Sequence, residues 1–487
     1  MSVPTHPEVL VAGGGPAGSS AAIALATLGH SVVLAESARF PRDQIGESLP
    51  PKTRGLLESL GALDRVEAAD FARMRSTLVQ RGPELRVHPF DPLGRTLGYQ
   101  VERDRFDALL LEKAKDSGAV VLEGVGLVAA EPSERGARAR LADGTILTPR
   151  FVVDASGIQS VITRAAGGIR RGATRTAAIT GYFTDSLGPP LCEPYDTLFE
   201  TLPEGWIWSV LRKDGLRNVT VAVDSEDGLD SQARFKRVLS KSLLVGPTIK
   251  AATLAIPLVT RVFSRIWCDK YAGTWYLVAG NAASIVDPLT SQGVYKALAS
   301  GLAAAASLHT ALTRPADAAL ALEYYDDAER RFYAEYTKQS ARFSRASGFP
   351  DEPFWSARAV DAEVGPAVDD EDRAKKRDAL FELVRARGGR GVSVRLLEDL
   401  SPEPRTVAEN GRVIRRTRLL HKGAPLHVEG VSMEDLVAVL DGRVLADTFE
   451  GYSVRAREPA SSALGKRLLG ALGSLAQRGL VEAIAVE

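Results

Sequence analysis

The apolar run Glu8-Val9-Leu10-Val11-Ala12 leads straight into Gly13-Gly14-Gly15-Pro16-Ala17-Gly18, and no other stretch constrains this 487-residue chain as strongly. A strand entering G-x-G-x-x-G opens a βαβ dinucleotide-binding unit. Gly13 makes the tight turn, Gly15 lets backbone approach a pyrophosphate, and Gly18 lets the following helix, expected over residues 19–28, pack on the strand. The helix N-terminus then offers free N–H groups and a positive dipole end to the phosphates. A second apolar run, Ser31-Val32-Val33-Leu34-Ala35, ends at Glu36. That is close to the roughly 20-residue offset at which an acid meets a ribose hydroxyl. A carboxylate there repels a 2′-phosphate, which leaves FAD or NAD rather than NADP.

Composition narrows the class further. Hydrophobic residues at 45% and charged residues at 25% describe an ordinary globular chain with ample core. Lys plus Arg equals Asp plus Glu at 61 each, so no global field draws the protein to nucleic acid or to a membrane. No charged-then-apolar leader opens the chain, which points to the cytoplasm. The two cysteines, Cys192 and Cys268, fit a reducing compartment and a buried apolar role, and metal-ligand spacing is absent.

The loop after Glu36 carries Arg42 and then Gly46-Glu47-Ser48-Leu49-Pro50. At this distance behind G-x-G-x-x-G, the stretch resembles that of flavin-dependent halogenases and the related FAD-dependent aromatic monooxygenases, in which it lies beside the flavin. Other segments extend the likeness. Arg103 to Asp107 resembles the family's R-x-x-F-D helix, which implies a phosphate or flavin contact for Arg103, with a helix-surface arginine as the alternative. Val125 stands where relatives touch adenine through backbone. Asp154-Ala155-Ser156-Gly157 followed by Ser160 matches a D-x-x-G-x-x-S turn near the pyrophosphate. Gly280-Asn281-Ala282-Ala283, then Asp287-Pro288-Leu289-Thr290-Ser291-Gln292-Gly293-Val294, looks like the family's G-D-A-A…D-P-x-x-x-x-G. The usual acid is Asn281 here, and its amide still reaches a hydroxyl without charge assistance.

The resemblance thus implies FAD held by Gly13, Gly15, Ala17, Gly18, Glu36, Arg42, Gly46, Glu47, Ser48, Arg103, Val125, Asp154, Gly157, Gly280, Asn281, Asp287, Pro288, Gln292, Gly293 and Val294. Between residues 177 and 267 the pattern turns to β-alternation, which reads as a separate antiparallel sheet. In the family such a sheet carries the substrate over the flavin. Trp206 and Trp208 resemble the halogenase W-x-W and share one strand face, so they form one wall, with sheet packing as the alternative.

The expected architecture is α/β. A Rossmann-type, glutathione-reductase-like FAD-binding fold is built from residues 1–80, 100–176 and 272–350, with an inserted substrate-binding sheet from 81–99 and 177–271. A helical, acidic linker spans 351–402, and a small α+β winged-helix-like domain spans 403–487. That last segment holds 12 basic against 11 acidic residues, too even a balance for phosphate neutralisation.

The resemblance also frames the chemistry. Family halogenases place a lysine near the substrate, expected here in Phe71-Ala72-Arg73-Met74-Arg75-Ser76-Thr77-Leu78, which contains none. Arginine stays protonated and is a poor substitute. Oxygen transfer is therefore the expectation: an FAD-dependent monooxygenase using a flavin C4a-hydroperoxide to hydroxylate an electron-rich phenol, indole, or peptidyl or carrier-bound aromatic. Halogenation, or another flavin-dependent oxidation, is the alternative. Ser291-Gln292-Gly293 also looks like relatives that oxidise tryptophan within a peptide. Arg73, Arg75, Trp206, Trp208 and Gln292 are the candidates facing the substrate. O2 is the co-substrate, and because no second G-x-G-x-x-G follows a strand, electrons come from a separate flavin reductase or from transient NAD(P)H binding.

Overall fold

Val9–Ala12 is the central strand of a five-stranded parallel sheet in the computed structural model. The order is Tyr276–Val278, Phe151–Asp154, Val9–Ala12, Val32–Glu36, Val120–Glu123. Val9–Ala12 and Val32–Glu36 are buried throughout, which is why they read as unbroken apolar runs rather than alternating ones. On one face the helix Pro16–Thr27 packs against the helix Gly293–Thr313 so closely that a Cβ on Gly301 would strike the carbonyl oxygen of Ala17. On the other, the antiparallel strands Leu127–Ser133, Gly136–Leu141 and Ile146–Leu147 bring Leu127, Ala137, Ala139 and Leu141 onto Leu10, Ala12 and Val33.

A second, seven-stranded sheet runs in the order Thr253–Phe263, Thr176–Thr184, Arg217–Asp224, Gly205–Leu211, Thr197–Leu202, Ser76–Arg81, Glu84–Pro89. Its pairings are antiparallel except that Thr197–Leu202 runs parallel to Ser76–Arg81. Residues 76–80, grouped with the FAD-binding segments on sequence grounds, are therefore a strand of this sheet. Leu78 serves its back core and Val79 its front cluster. No turn signal precedes Ser76, so the crossing between layers left no mark in the sequence.

The helix Pro353–Ala359, assigned from sequence to the linker, belongs with the same sheet. Phe354 and Trp355 are buried against Val79, Phe199 and Trp206, and Trp355 Nε1 donates to Leu202 O at 2.7 Å. Arg358 donates to Thr176 Oγ1 and Asp224 Oδ1, each at 2.7 Å. Apolar anchors outweigh the acidic residues that suggested a boundary.

The structure describes residues 3–90, 97–165, 168–187, 193–225, 229–359, 392–396, 401–409, 411–421, 424–425, 436, 440–456, 461–477 and 481–485. The chain divides into two compact units: Met1–Glu363 with Ala408–Val413, and Val364–Val407 with Ile414–Glu487. In the second unit, Asp441–Val444, Val392–Leu396 and Val481–Ala485 form a three-stranded sheet. The helices Leu445–Ala456 and Ser462–Gln477 accompany it. Cys192 lies outside the described residues. No helix among the described residues is long and apolar enough to cross a membrane.

Candidate active site

Three chain segments shape a nucleotide cradle at the carboxyl ends of the parallel strands. Gly13 holds φ at +106°, and a Cβ there would collide with Ala155 O, so only glycine fits the turn. Glu36 is buried and its carboxylate accepts from Gly14 N at 2.6 Å and Ala38 N at 2.7 Å, which fixes it at the edge of the cradle. Val125 N is taken by Glu36 O at 2.8 Å, leaving only its carbonyl for a ligand. Asp154 spends both oxygens locally, on Ser156 N, Ser156 Oγ and Ile162 N, and burial pushes its carboxyl up. Its role is to shape the Ser156–Gly157 turn.

Around Gly15 the space is open: a Cβ there would meet nothing but Arg42 Nη2, at 3.3 Å. Arg42 and Arg103 share Asp107, Arg103 through paired 2.9 Å contacts and Arg42 at 3.4 Å. Arg103 also donates to Ile45 O at 2.7 Å. A buried guanidinium thus holds the Gly46 loop, and Arg42 is left facing Gly15. These residues fit a bound FAD: an open glycine for the pyrophosphate, a cation beside it, and a fixed carboxylate for a ribose.

Glu47 joins this loop to the seven-stranded sheet. It is 1% exposed and accepts from Tyr182 Oη at 2.7 Å and Asn218 Nδ2 at 2.9 Å. From Asn218 the chain of hydrogen bonds continues to Thr220 and Thr180. Burial, and then Glu47, push the Tyr182 hydroxyl pKa up. Next to it, Ser48 Oγ donates to Gln100 Oε1 at 2.7 Å, and Gln100 Nε2 reaches Thr197 Oγ1 and Met74 Sδ. Sequence reasoning missed Tyr182, Asn218, Thr180, Thr220, Gln100 and Thr197. Their only signal was polar residues at buried strand positions.

The third segment runs from Gly280 to Val294. Gly280 O accepts from Lys296 Nζ at 2.7 Å, as does Ser284 O, so a buried ammonium clamps the turn. Asn281 is exposed and so open to a ligand, and Pro288 is exposed as well. Gly293 opens its 21-residue helix without a side-chain cap. Gln292 Oε1 lies 3.5 Å from Tyr336 Oη, which accepts from Lys52 Nζ at 3.1 Å; that nitrogen also sits 3.9 Å over the Tyr295 ring. Lys52 is exposed as a residue, and partial desolvation holds its ammonium pKa below the usual lysine value. It lies outside residues 71–78, where the sequence reading looked for a lysine.

Asp287 is pushed up to about 6 by burial, opposed in part by Arg358, whose Nε lies 3.8 Å from Oδ2. The folded protein holds this proton more tightly than the unfolded chain, whose value is near 3.9. The group therefore favours folding at low pH, and its ionisation opposes folding increasingly as pH rises from about 4 to 6, by on the order of 3 kcal/mol. Asp287→Asn keeps an acceptor for Leu289 N and removes the titration. The difference in melting temperature between variant and parent is expected to move in the variant's favour across that window; a difference that is flat with pH would contradict the assignment.

The substrate-facing candidates separate. Trp206 and Trp208 do share a face, but Trp206 is 3% exposed and stacks on Phe199 at 5.7 Å, with Leu289 of the Asp287 segment in the same cluster. The indole wall is thus packed core at Trp206, and it meets the Asp287–Gln292 segment at Leu289. Both Nε1 atoms are buried without a hydrogen-bond partner among the described residues. Arg73 turns away from the wall, onto Glu67 and over the Tyr99 ring at 4.2 Å. Arg75 is exposed, and its backbone N donates to Asp196 at 2.7 Å. Strand alternation at Ala72–Met74 sends Arg73 to one face and buries Met74 on the other, beside Gln100. Cys268 is buried, free, and its thiol is pushed up to about 11 by desolvation.

Comparison with known proteins defines the class. The FAD binding domain model matches residues 6–340. The chain is 30% identical over 376 residues to a tryptophan 2-halogenase of Chondromyces crocatus, covering 74% of this chain and 72% of that protein. It belongs to the FAD-dependent halogenase family of flavoproteins. Two solved structures share the fold over nearly the whole chain. The flavin-dependent halogenase CmlS matches with a TM-score of 0.75 at 23% identity, over 99% of this chain and 96% of that one. The peptidyl tryptophan dihydroxylase QhpG matches with 0.66 at 23% identity, over 98% and 100%.

Proposed function

We propose that this protein halogenates an electron-rich aromatic substrate, drawing reduced FAD from a separate reductase. The observation that carries the reading is the 30% identity to a tryptophan 2-halogenase across about three quarters of both chains. Hydroxylation, the outcome expected from the missing lysine at 71–78, is the second reading. Met74 buried in that stretch favours it, and QhpG shares the fold. Lys52 weakens that objection, because it supplies an amine from another part of the chain that reaches the Gln292 segment through the Tyr336 hydroxyl.

Bound FAD, once reduced, supplies the activation of O2. The chain's own residues do the rest. Arg42 and Glu36 would hold the pyrophosphate and ribose parts of the nucleotide, Arg103 fastens the Gly46 loop beside them, and the uncapped helix at Gly293 presents N–H groups on the same side. Glu47 locks the loop to the sheet on which the substrate rests. The packed wall at Trp206, Phe199 and Trp355 excludes water from one side.

The deciding experiment supplies the protein with enzymatically reduced FAD, O2, and either bromide or no halide, and analyses a panel of indoles and phenols by mass spectrometry. A brominated product supports the proposal. A product heavier by one oxygen, formed equally without halide, would move the assignment to hydroxylation. Lys52→Met is expected to lower brominated product at least about tenfold, near 1.4 kcal/mol, with FAD affinity unchanged. Unchanged product would remove Lys52 from the chemistry.

A further inference from the structure

The back of the seven-stranded sheet carries a feature that flavin chemistry leaves unused. Phe183 follows Tyr182 in its strand and so points to the opposite face, away from Glu47. There it floors an open groove of about 700 Å³. One wall is the helix Ser231–Leu239 with its continuation, through Gln232, Phe235, Lys236, Leu239 and Ser240. This i, i+3, i+4, i+7, i+8 spacing is a single helical stripe. The other wall holds Ile249 and Lys250, and then Leu254 and Leu258 of the strand Thr253–Phe263, which is the sheet's edge. Gly181 lets Leu254 and Leu258 pack close to the sheet, since a Cβ there would run into both.

Charge sets the occupant. Residues 231–254 hold Arg234, Lys236, Arg237, Lys241 and Lys250 and no acidic residue, in a chain whose total charge is zero. Among the described residues, three neighbouring carboxylates are already committed, and Asp185 is an exposed one near the groove. Glu200 accepts from the backbone at Leu243, Leu244 and Val245, and Glu204 pairs with Lys241 and Arg237. Asp230 caps the helix through Ala233 N. Lys236 and Lys250, on opposite walls, are exposed and have no ion-pair partner among the described residues. Beside them Leu254 and Leu243 are 43% and 66% exposed. An apolar trough between two unpaired lysines matches a helix with leucines on one face and carboxylates on its flanks.

We propose that this groove docks an acidic amphipathic helix of a partner protein. Such docking leaves the Glu47 face of the sheet open, so a partner seated here does not obstruct the flavin side.

The test is fluorescence anisotropy of the full-length protein with a fluorescein-labelled amphipathic peptide, leucine on one face and glutamate elsewhere. Saturable binding is expected, weakening at least about tenfold from low to high salt. Lys236→Glu with Lys250→Glu is expected to reduce it at least tenfold, and Leu254→Gln to weaken it as well, each with an unchanged melting temperature. Arg170→Glu, which removes an exposed cation paired with Asp269, is the control and is expected to have no effect. No saturable binding at low salt would overturn the proposal. So would equal loss in the Arg170→Glu control, or equal binding of a lysine-for-glutamate peptide. Self-association seen by light scattering and abolished by Leu254→Gln would assign the groove to a second copy of this chain instead.

Discussion

Gly15→Val is expected to leave the protein folded and to weaken FAD binding at least about 100-fold, near 3 kcal/mol. Gly15 has φ −71° and extended ψ, a conformation that valine accepts, and its Cβ direction meets only the Nη2 end of Arg42, at 3.3 Å. The added side chain then occupies the space that a pyrophosphate needs against the backbone. Gly18→Ala is the informative contrast. Its Cβ would collide with Gly13 O inside the strand–helix junction, so that variant is expected to lose fold and FAD together. Titrating apo-protein with FAD by flavin fluorescence, alongside thermal melts, separates the two outcomes. FAD affinity within threefold of the parent in Gly15→Val would place the pyrophosphate elsewhere.

Glu47→Ala is expected to destabilise the FAD-binding unit by about 2–4 kcal/mol. The carboxylate is almost fully buried, and its loss leaves Tyr182 Oη and Asn218 Nδ2 without their acceptor. Orphaning buried donors costs more than the hydrogen bonds themselves contribute, because water cannot replace the lost partner. Glu47→Gln keeps one acceptor oxygen and the same volume, so it is expected to recover at least half of the loss. Chemical denaturation of both variants checks this. Equal stability of Glu47→Ala and parent would show that water reaches the site and that the loop is not fastened through this residue. The prediction also bears on function, since Glu47 is the link between the flavin-side loop and the sheet.

Lys52 stands at the start of the helix Thr53–Ser59 and reaches Tyr336, 284 residues further on. Adjacency of that kind has no local signature.

Local physics made the nucleotide-binding core legible from sequence. Apolar runs without alternation marked strands buried on both faces, and glycines marked places where a Cβ has no room. Glu36 ends the second strand, where its carboxylate accepts from Gly14 N and Ala38 N. The runs and the glycines are properties of a few consecutive residues, set by backbone sterics and burial. What only the tertiary structure decided is what each side chain meets. Strand alternation sends Arg73 away to Glu67 and buries Met74 beside Gln100. Sheet register brings Tyr182 and Asn218, neighbours across two strands, onto a loop 135 and 171 residues earlier. The helix Pro353–Ala359 joins the sheet because Phe354 and Trp355 find an apolar surface there. Those outcomes depend on non-local packing, in which the partner, and not the residue itself, carries the information.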